Sequence, residues 1–304
     1  MTCCGWGDGA GAYSVGMRDA DVPGWWRRLG LEGLVDIHVH FLPDQVMNAV
    51  WAYFDKASEH YGTAWPINYR TSVEERLKTL ETLGVRAFPA LVYPHKPGMA
   101  AWLNQWARDF AASTPRCVVS GTFYPEPGAG DYVREALELG TRIFKVHVQV
   151  GDYDPRSGEL DDVWGQLAEA GVPVVVHCGS GPIPGRHTGP GPFGEVLRKH
   201  PRLTAVIAHL GMPEYAEHLA LTSYPNVHLD TTMALTPFTE SLMPFPRELT
   251  SRLADLQDRI VLGSDFPNIP YEYAVQLSSL ESLDLGDDWL RSVCSDNGTR
   301  LLSL

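Results

Sequence analysis

From residue 34 onward the chain returns again and again to short apolar, β-branched runs. They are "LVDIHVH" (34–40), "VRAFPALVY" (85–93), "CVVSGTFYP" (117–125) and "RIFKVHVQV" (142–150), then "VPVVVHCG" (172–179), "LTAVIAHLG" (203–211), "NVHLDTT" (226–232) and "RIVLGSDFP" (259–267). Between them lie "SVEERLKTLETLG", "DYVREALELG", "LDDVWGQLAEAG" and "FGEVLRKHP", with apolar positions at helical spacing and a terminal Gly or Pro that stops a helix. Alternation of strand and helix implies parallel strands joined by crossovers. Eight such runs in 304 residues predict a (β/α)₈ TIM barrel, a fold of typically ~250 residues. An open doubly wound sheet is the alternative, but no G-x-G-x-x-G or P-loop follows the first run.

Two connections are too long for simple crossovers. Residues 41–84 form an extended β1–β2 insertion that carries Trp51, Tyr53, Phe54, Tyr61, Trp65 and Tyr69, as lid core or as a pocket wall. Residues 233–258 make a second excursion. Both leave from strand C-terminal ends, the face on which barrels build active sites. The reading divides the chain into a flexible N-terminal leader, residues 1–24, and a single barrel domain, 25–304.

Composition removes some function classes. Lys and Arg total 24 against 37 Asp and Glu, a formal net charge of −13. That argues against nucleic acid and anionic membranes as partners, since both select positive charge. Apolar residues make up 44%, ordinary for a soluble protein, and no apolar run approaches the ~20 residues of a membrane span. The start, "MTCCGWGDGAGAYSVG", lacks the basic and apolar regions of a secretory signal. Cys3, Cys4, Cys117, Cys178 and Cys294 show no disulfide framework and read as reduced thiols in a cytosol.

Chemistry enters at the strand tips. In an extended strand alternate side chains share a face, which would set Asp36, His38 and His40 opposite Val35, Ile37 and Val39. The fifth run ends on His177, the sixth on His209 and the eighth on Asp265. A barrel gathers these distant positions at one mouth, so their convergence favours a metal site over separate hydrogen-bonded core histidines. Asp36 reads either as a residue that orients a ligand or as a buried, hydrogen-bonded carboxylate.

The succession "DIHVH", "HCGSGP", "LRKHPRLTAVIAHLG", "YPNVHLDTT", "RIVLGSDFP" and "SDNGTRLL" resembles the amidohydrolase superfamily. It is most similar to the amidohydrolase-related branch that includes aminocarboxymuconate semialdehyde decarboxylase. The resemblance implies that His38, His40, His177 and Asp265 are metal ligands. It also implies that Asp265 exchanges protons and that His209 is the acid/base beside the metal, or a ligand if a second metal exists. Three imidazoles and a carboxylate suit one Zn²⁺ per chain, with Mn²⁺ or another divalent ion as alternatives, and such a cation acidifies bound water.

Lys145 and His147 share the inward face of the fourth run. In binuclear members of the superfamily a carboxylated lysine at this place bridges two metals. The amidohydrolase-related branch often carries K-x-H here with one metal, so both residues are expected to face substrate. Arg186, in "GSGPIPGRHTGPGPF", is a third candidate for an anionic substrate, whereas His187 reads as a solvated loop residue. The expected partner is a small molecule, a carboxylate on this reading, and a homodimer is compatible with it. Two activities fit the motifs: hydrolysis of an ester, lactone or amide, and non-oxidative decarboxylation of an aromatic or muconate-like acid. An inactive binding barrel is the third and weakest reading.

Overall fold

The computed structural model describes residues 16–304; Cys3 and Cys4 lie outside the described residues. Its centre is a closed ring of parallel strands. These are β1 (Leu34–Val35), β2 (Val85–Pro89), β3 in two pieces (Cys117–Val118 and Ser120–Gly121), β4 (Ile143–His147), β5 (Val174–His177), β6 (Ala205–Ile207), β7 (Val227–Asp230) and β8 (Ile260–Val261). Each pairs in parallel with the next in chain order. The break inside β3 falls at Val119, whose carbonyl still accepts the Arg142 amide at 2.9 Å. Closure runs between β1 and the segment after β8. Ile37 N donates to Leu262 O at 3.0 Å, Asp265 N to His38 O at 2.9 Å and His40 N to Phe266 O at 2.7 Å. The predicted TIM barrel is therefore the fold, and its last closing bonds are made by site residues.

Local sequence explains how the elements start and stop. The helix Val73–Leu83 opens on a capping box, with Ser72 and Glu75 exchanging side-chain and backbone bonds, and closes on Gly84 at φ 81°. A side chain at Gly84 would also strike the Trp26 indole. The core has two layers. Val118, Ile143, Val175, Val206 and Val261 fill the barrel interior with Val35, Ile37 and Leu302, while Phe144, Val174 and Val176 pack outward among Trp164 and Phe193.

Two expectations need correction here. Strand 1 does not keep a strict two-residue alternation. Asp36 Oδ1 accepts the His38 amide at 3.0 Å, a local turn that competes with the ladder, and the β1–β2 register shifts at Leu34/Val35. Val35 and Ile37 therefore face the interior, Val39 joins Phe41 and Phe88 in the outer layer, and Asp36 turns away from the histidines. The second concerns residues 18–24, assigned above to the leader. Arg18 pairs with Glu272, Asp19 accepts from Tyr69 and from the Ala274 amide, and Val22–Arg28 is a helix with Trp25 buried. Docking by these bonds, with Val22 and Trp25 in the core, outweighs the loop-like composition.

Candidate metal centre and active site

Six of the eight strand tips deliver one or two polar side chains to the same mouth. His38 and His40 follow β1, Lys145 and His147 close β4, His177 ends β5, His209 follows β6, Asp230 ends β7 and Asp265 follows β8. Most of these groups are buried, and all but Asp230, which lies behind His38, form the floor of a cavity of about 840 Å³.

The imidazoles are fixed by their outer nitrogens. His38 Nδ1 lies 2.8 Å from Asp230 Oδ2, and His40 Nδ1 lies 2.9 Å from Leu91 O. A carbonyl cannot donate, so His40 Nδ1 carries the proton and Nε2 of the neutral ring is a lone pair. That lone pair faces Asp265 Oδ1 at 3.0 Å. Two acceptors at this distance repel unless a proton or a cation stands between them. His38 Nε2 is 3.7 Å from the same oxygen, and the ligand atoms of His38, His40 and Asp265 all lie within 4.8 Å of one another. The donor set thus fits a divalent ion, with outer partners holding the tautomers as in known metal sites.

The carboxylate is tuned for the same task. Burial alone would raise the Asp265 carboxyl, but a proton standing between it and His40 Nε2, with the charge this places on the His40, His38 and His209 rings, holds it well below the usual range. Its backbone sits at φ 70°, a left-handed conformation uncommon for residues other than glycine. His209 is similar, at φ 58°. Its amide donates to Asp230 Oδ1 at 2.8 Å and its Nδ1 to Thr232 O at 3.1 Å, which leaves Nε2 as the free nitrogen. Burial, then the His38 ring, brings the His209 imidazole down to about 4. The ring centroid stands 5.2 Å from that of His38 and 4.6 Å from that of His177.

The other predicted residues divide. Lys145 is buried and its Nζ lies 3.0 Å from His38 Nε2; burial lowers it to about 8, against the pull of Asp230 and Asp265. His147 accepts the Val150 amide and stacks on His177 at 3.8 Å between centroids. His177 lines the cavity but is not brought into the close ligand group, and its Nε2 points to Gly181 O at 3.2 Å. Arg186 is not brought in. It is exposed on the loop after β5 and lines no part of the cavity, where Lys96 supplies positive charge instead. Asp36 holds the site from behind, accepting from the His38 amide, Ser264 Oγ and Tyr273 Oη, so it braces β1 against the closing segment.

Asp230 was missed as a functional residue. It is fully buried, and one oxygen holds His38 while the other accepts the amides of His209 and Thr232. Its position at the end of the seventh run, like Asp265 after the eighth, is the signal that could have found it.

Solved structures share the architecture. An uncharacterised TIM-barrel protein from Bordetella bronchiseptica superposes with TM-score 0.70 at 18% identity, covering 89% of this chain and 98% of that one. A probable 2-pyrone-4,6-dicarboxylic acid hydrolase from Acinetobacter baumannii, with citric acid bound, gives 0.62 at 12% identity over 90% and 100%. A 5-carboxyvanillate decarboxylase from Novosphingobium aromaticivorans, complexed with manganese and 4-hydroxy-3-methoxy-5-nitrobenzoic acid, gives 0.59 at 15% identity over 90% and 97%. At these identities the likeness is one of fold. No curated protein sequence matches the chain. The amidohydrolase family model, however, matches residues 35–304, nearly the whole barrel, and the chain belongs to that family.

Proposed function

We propose that this chain is a metal-dependent hydrolase that adds water to an ester, lactone or amide of a small organic acid. The observation that carries the reading is the facing pair of acceptors, His40 Nε2 and Asp265 Oδ1, 3.0 Å apart on the cavity floor. His38, His40 and Asp265 would hold one divalent ion, Zn²⁺ in the first instance, with His177 as the fourth ligand once it releases Gly181 O. When bound, the ion would supply Lewis acidity that brings the pKa of water down to about 7. Asp265 is the group placed to accept the water's proton. His209, neutral and with Nε2 free, is placed to polarise the substrate or return a proton to the leaving group. Lys145 and His147 would meet the substrate's carboxylate. The hydrolase among the structural neighbours, with its bound citric acid, supports both the reaction class and the anionic ligand.

The second reading is decarboxylation, and a specific observation favours it too. The cavity walls above the polar floor carry several aromatic side chains, Tyr61, Trp65 and Tyr93 among them, which suits a flat aromatic acid. The manganese-bound decarboxylase among the neighbours points the same way. Incubating the protein with a panel of lactones, amides and aromatic acids separates the two. A new titratable acid without carbon dioxide supports hydrolysis, and stoichiometric carbon dioxide replaces it with the lyase reading. Metal content below one equivalent per chain, with no activity restored by Zn²⁺ or Mn²⁺, overturns both.

A further inference from the structure

The cavity is most polar at its floor. Its floor carries the imidazoles, Lys145 and Asp265, and Lys96 is the other charged residue of the lining. Above the floor the lining is mainly apolar, with Gln45, His95 and Lys96 exposed among the apolar side chains. Among the described residues six large apolar side chains are exposed, and three of them, Tyr53 at 42%, Trp102 at 41% and Val150 at 38%, line this one cavity.

These three come from separate connections. Tyr53 lies on the helix Asp44–Phe54 after β1, Trp102 on Ala100–Ser113 after β2 and Val150 in the short helix Val148–Gly151 after β4. Chain neighbourhood therefore does not explain their meeting at one rim. Exposed apolar surface gathered around a concave site marks the place where a ligand covers it. A volume of about 840 Å³ is near the upper end of the range for small-molecule sites, more than the floor needs for one carboxylate and its scissile group.

We infer that the substrate is amphiphilic: an acid whose anionic, reacting end sits on the polar floor and whose extended aromatic or alkyl arm runs out along Tyr53, Trp102 and Val150. The inference rests on the proposed function for the identity of the reacting end. The arm is read from the rim alone. Tyr53 already presents a stacked ring face, held against His60 at 4.3 Å between centroids. Trp102 and Val150 offer further apolar surface where water would otherwise stand.

The test compares two probes that share a head group, benzoate and biphenyl-4-carboxylate, by calorimetric titration of the protein as purified. The longer acid is expected to bind about tenfold more tightly, from the additional ring it buries. Trp102→Ala should abolish most of that advantage while benzoate binding stays unchanged. Val150→Ser, at a second exposed position, should reduce the advantage in the same direction. Because Trp102 and Val150 are exposed, these truncations leave the core intact. Equal affinity of the two acids, loss of both in equal measure on Trp102→Ala, or failure of both to bind overturns the inference. So does an unchanged affinity ratio with a dimer lost on Trp102→Ala, since the rim would then be covered by a second copy. The proposed function fails on metal content and product, whereas this inference fails on a ratio of affinities.

Discussion

His38 Nδ1 and Asp230 Oδ2 lie 2.8 Å apart with both side chains excluded from solvent, and this contact decides which nitrogen of His38 faces the cavity floor. A carboxylate accepts, so the proton sits on Nδ1 and Nε2 presents its lone pair. Asp230→Asn keeps an oxygen for the amides of His209 and Thr232 but can turn an NH₂ toward His38, which favours the opposite tautomer. Metal affinity should fall about 10–100-fold, as for other outer partners of ligating histidines. Competition with a chelator measures it, and a thermal melt run in parallel separates this effect from loss of fold.

The same pocket of packing constrains the glycine after β8. A Cβ at Gly263 would stand 2.1 Å from Thr232 Oγ1 and 2.8 Å from His38 Cβ. Thr232 can rotate, because its Oγ1 is buried without a hydrogen-bond partner. His38 cannot, because its ring and backbone are both bonded. Gly263→Ala should therefore cost roughly 1–3 kcal/mol of stability and push His38 away from Asp265. Urea unfolding gives the first quantity and metal titration the second; a variant with unchanged affinity would show that the strand yields without moving the site.

Much of this was legible in the chain because β-branched runs and helical spacing report burial directly. The valines of β5 and the apolar stripe of "LDDVWGQLAEAG" could hardly do anything else. The strand-tip residues were legible for the same reason, since a histidine or aspartate at the end of an apolar run must be satisfied by something. Asp36 was misplaced because a side chain bonding its own backbone two residues on changes the phase of a strand, and no periodicity records that. Asp230 was overlooked because a carboxylate that only accepts hydrogen bonds leaves the same trace as a strand-ending turn residue. Arg186 was drawn in by charge, whereas the direction of a Gly- and Pro-rich loop is set by contacts the sequence does not display.

At the other end of β7, His228 should set part of the acid sensitivity of the fold. Burial, then the Arg259 and Arg300 cations, brings its imidazole from 6.5 down to about 4. Between those values the unfolded chain binds a proton that the folded chain refuses. The folded state is thus fully favoured above about pH 6.5 and loses stability as the pH falls toward 4. His228→Gln removes the titrating group, so the difference in urea midpoint between pH 7 and pH 5 should narrow relative to the unaltered protein. An identical pH dependence in both proteins would show that His228 protonates as readily folded as unfolded.

The division of labour between His209 and His177 is the remaining question about the floor. His209 has its amide and Nδ1 committed to Asp230 and Thr232 O, its Nε2 is free, and its ligand atoms fall outside the close group of His38, His40 and Asp265. His177 also falls outside that group, but a turn of its ring away from Gly181 O would present Nε2 to the same space. His209→Ala should keep the metal while turnover drops, by about 10²–10⁴-fold if the residue is the acid/base. His177→Ala should lose metal and activity together, and His40→Ala should do so more completely. Metal content after dialysis and turnover on an identified substrate are measured for each variant. A His209→Ala protein that emerges empty makes His209 a ligand. A His177→Ala protein that retains a full equivalent of metal reduces the ligand set to the three residues already within 4.8 Å of one another.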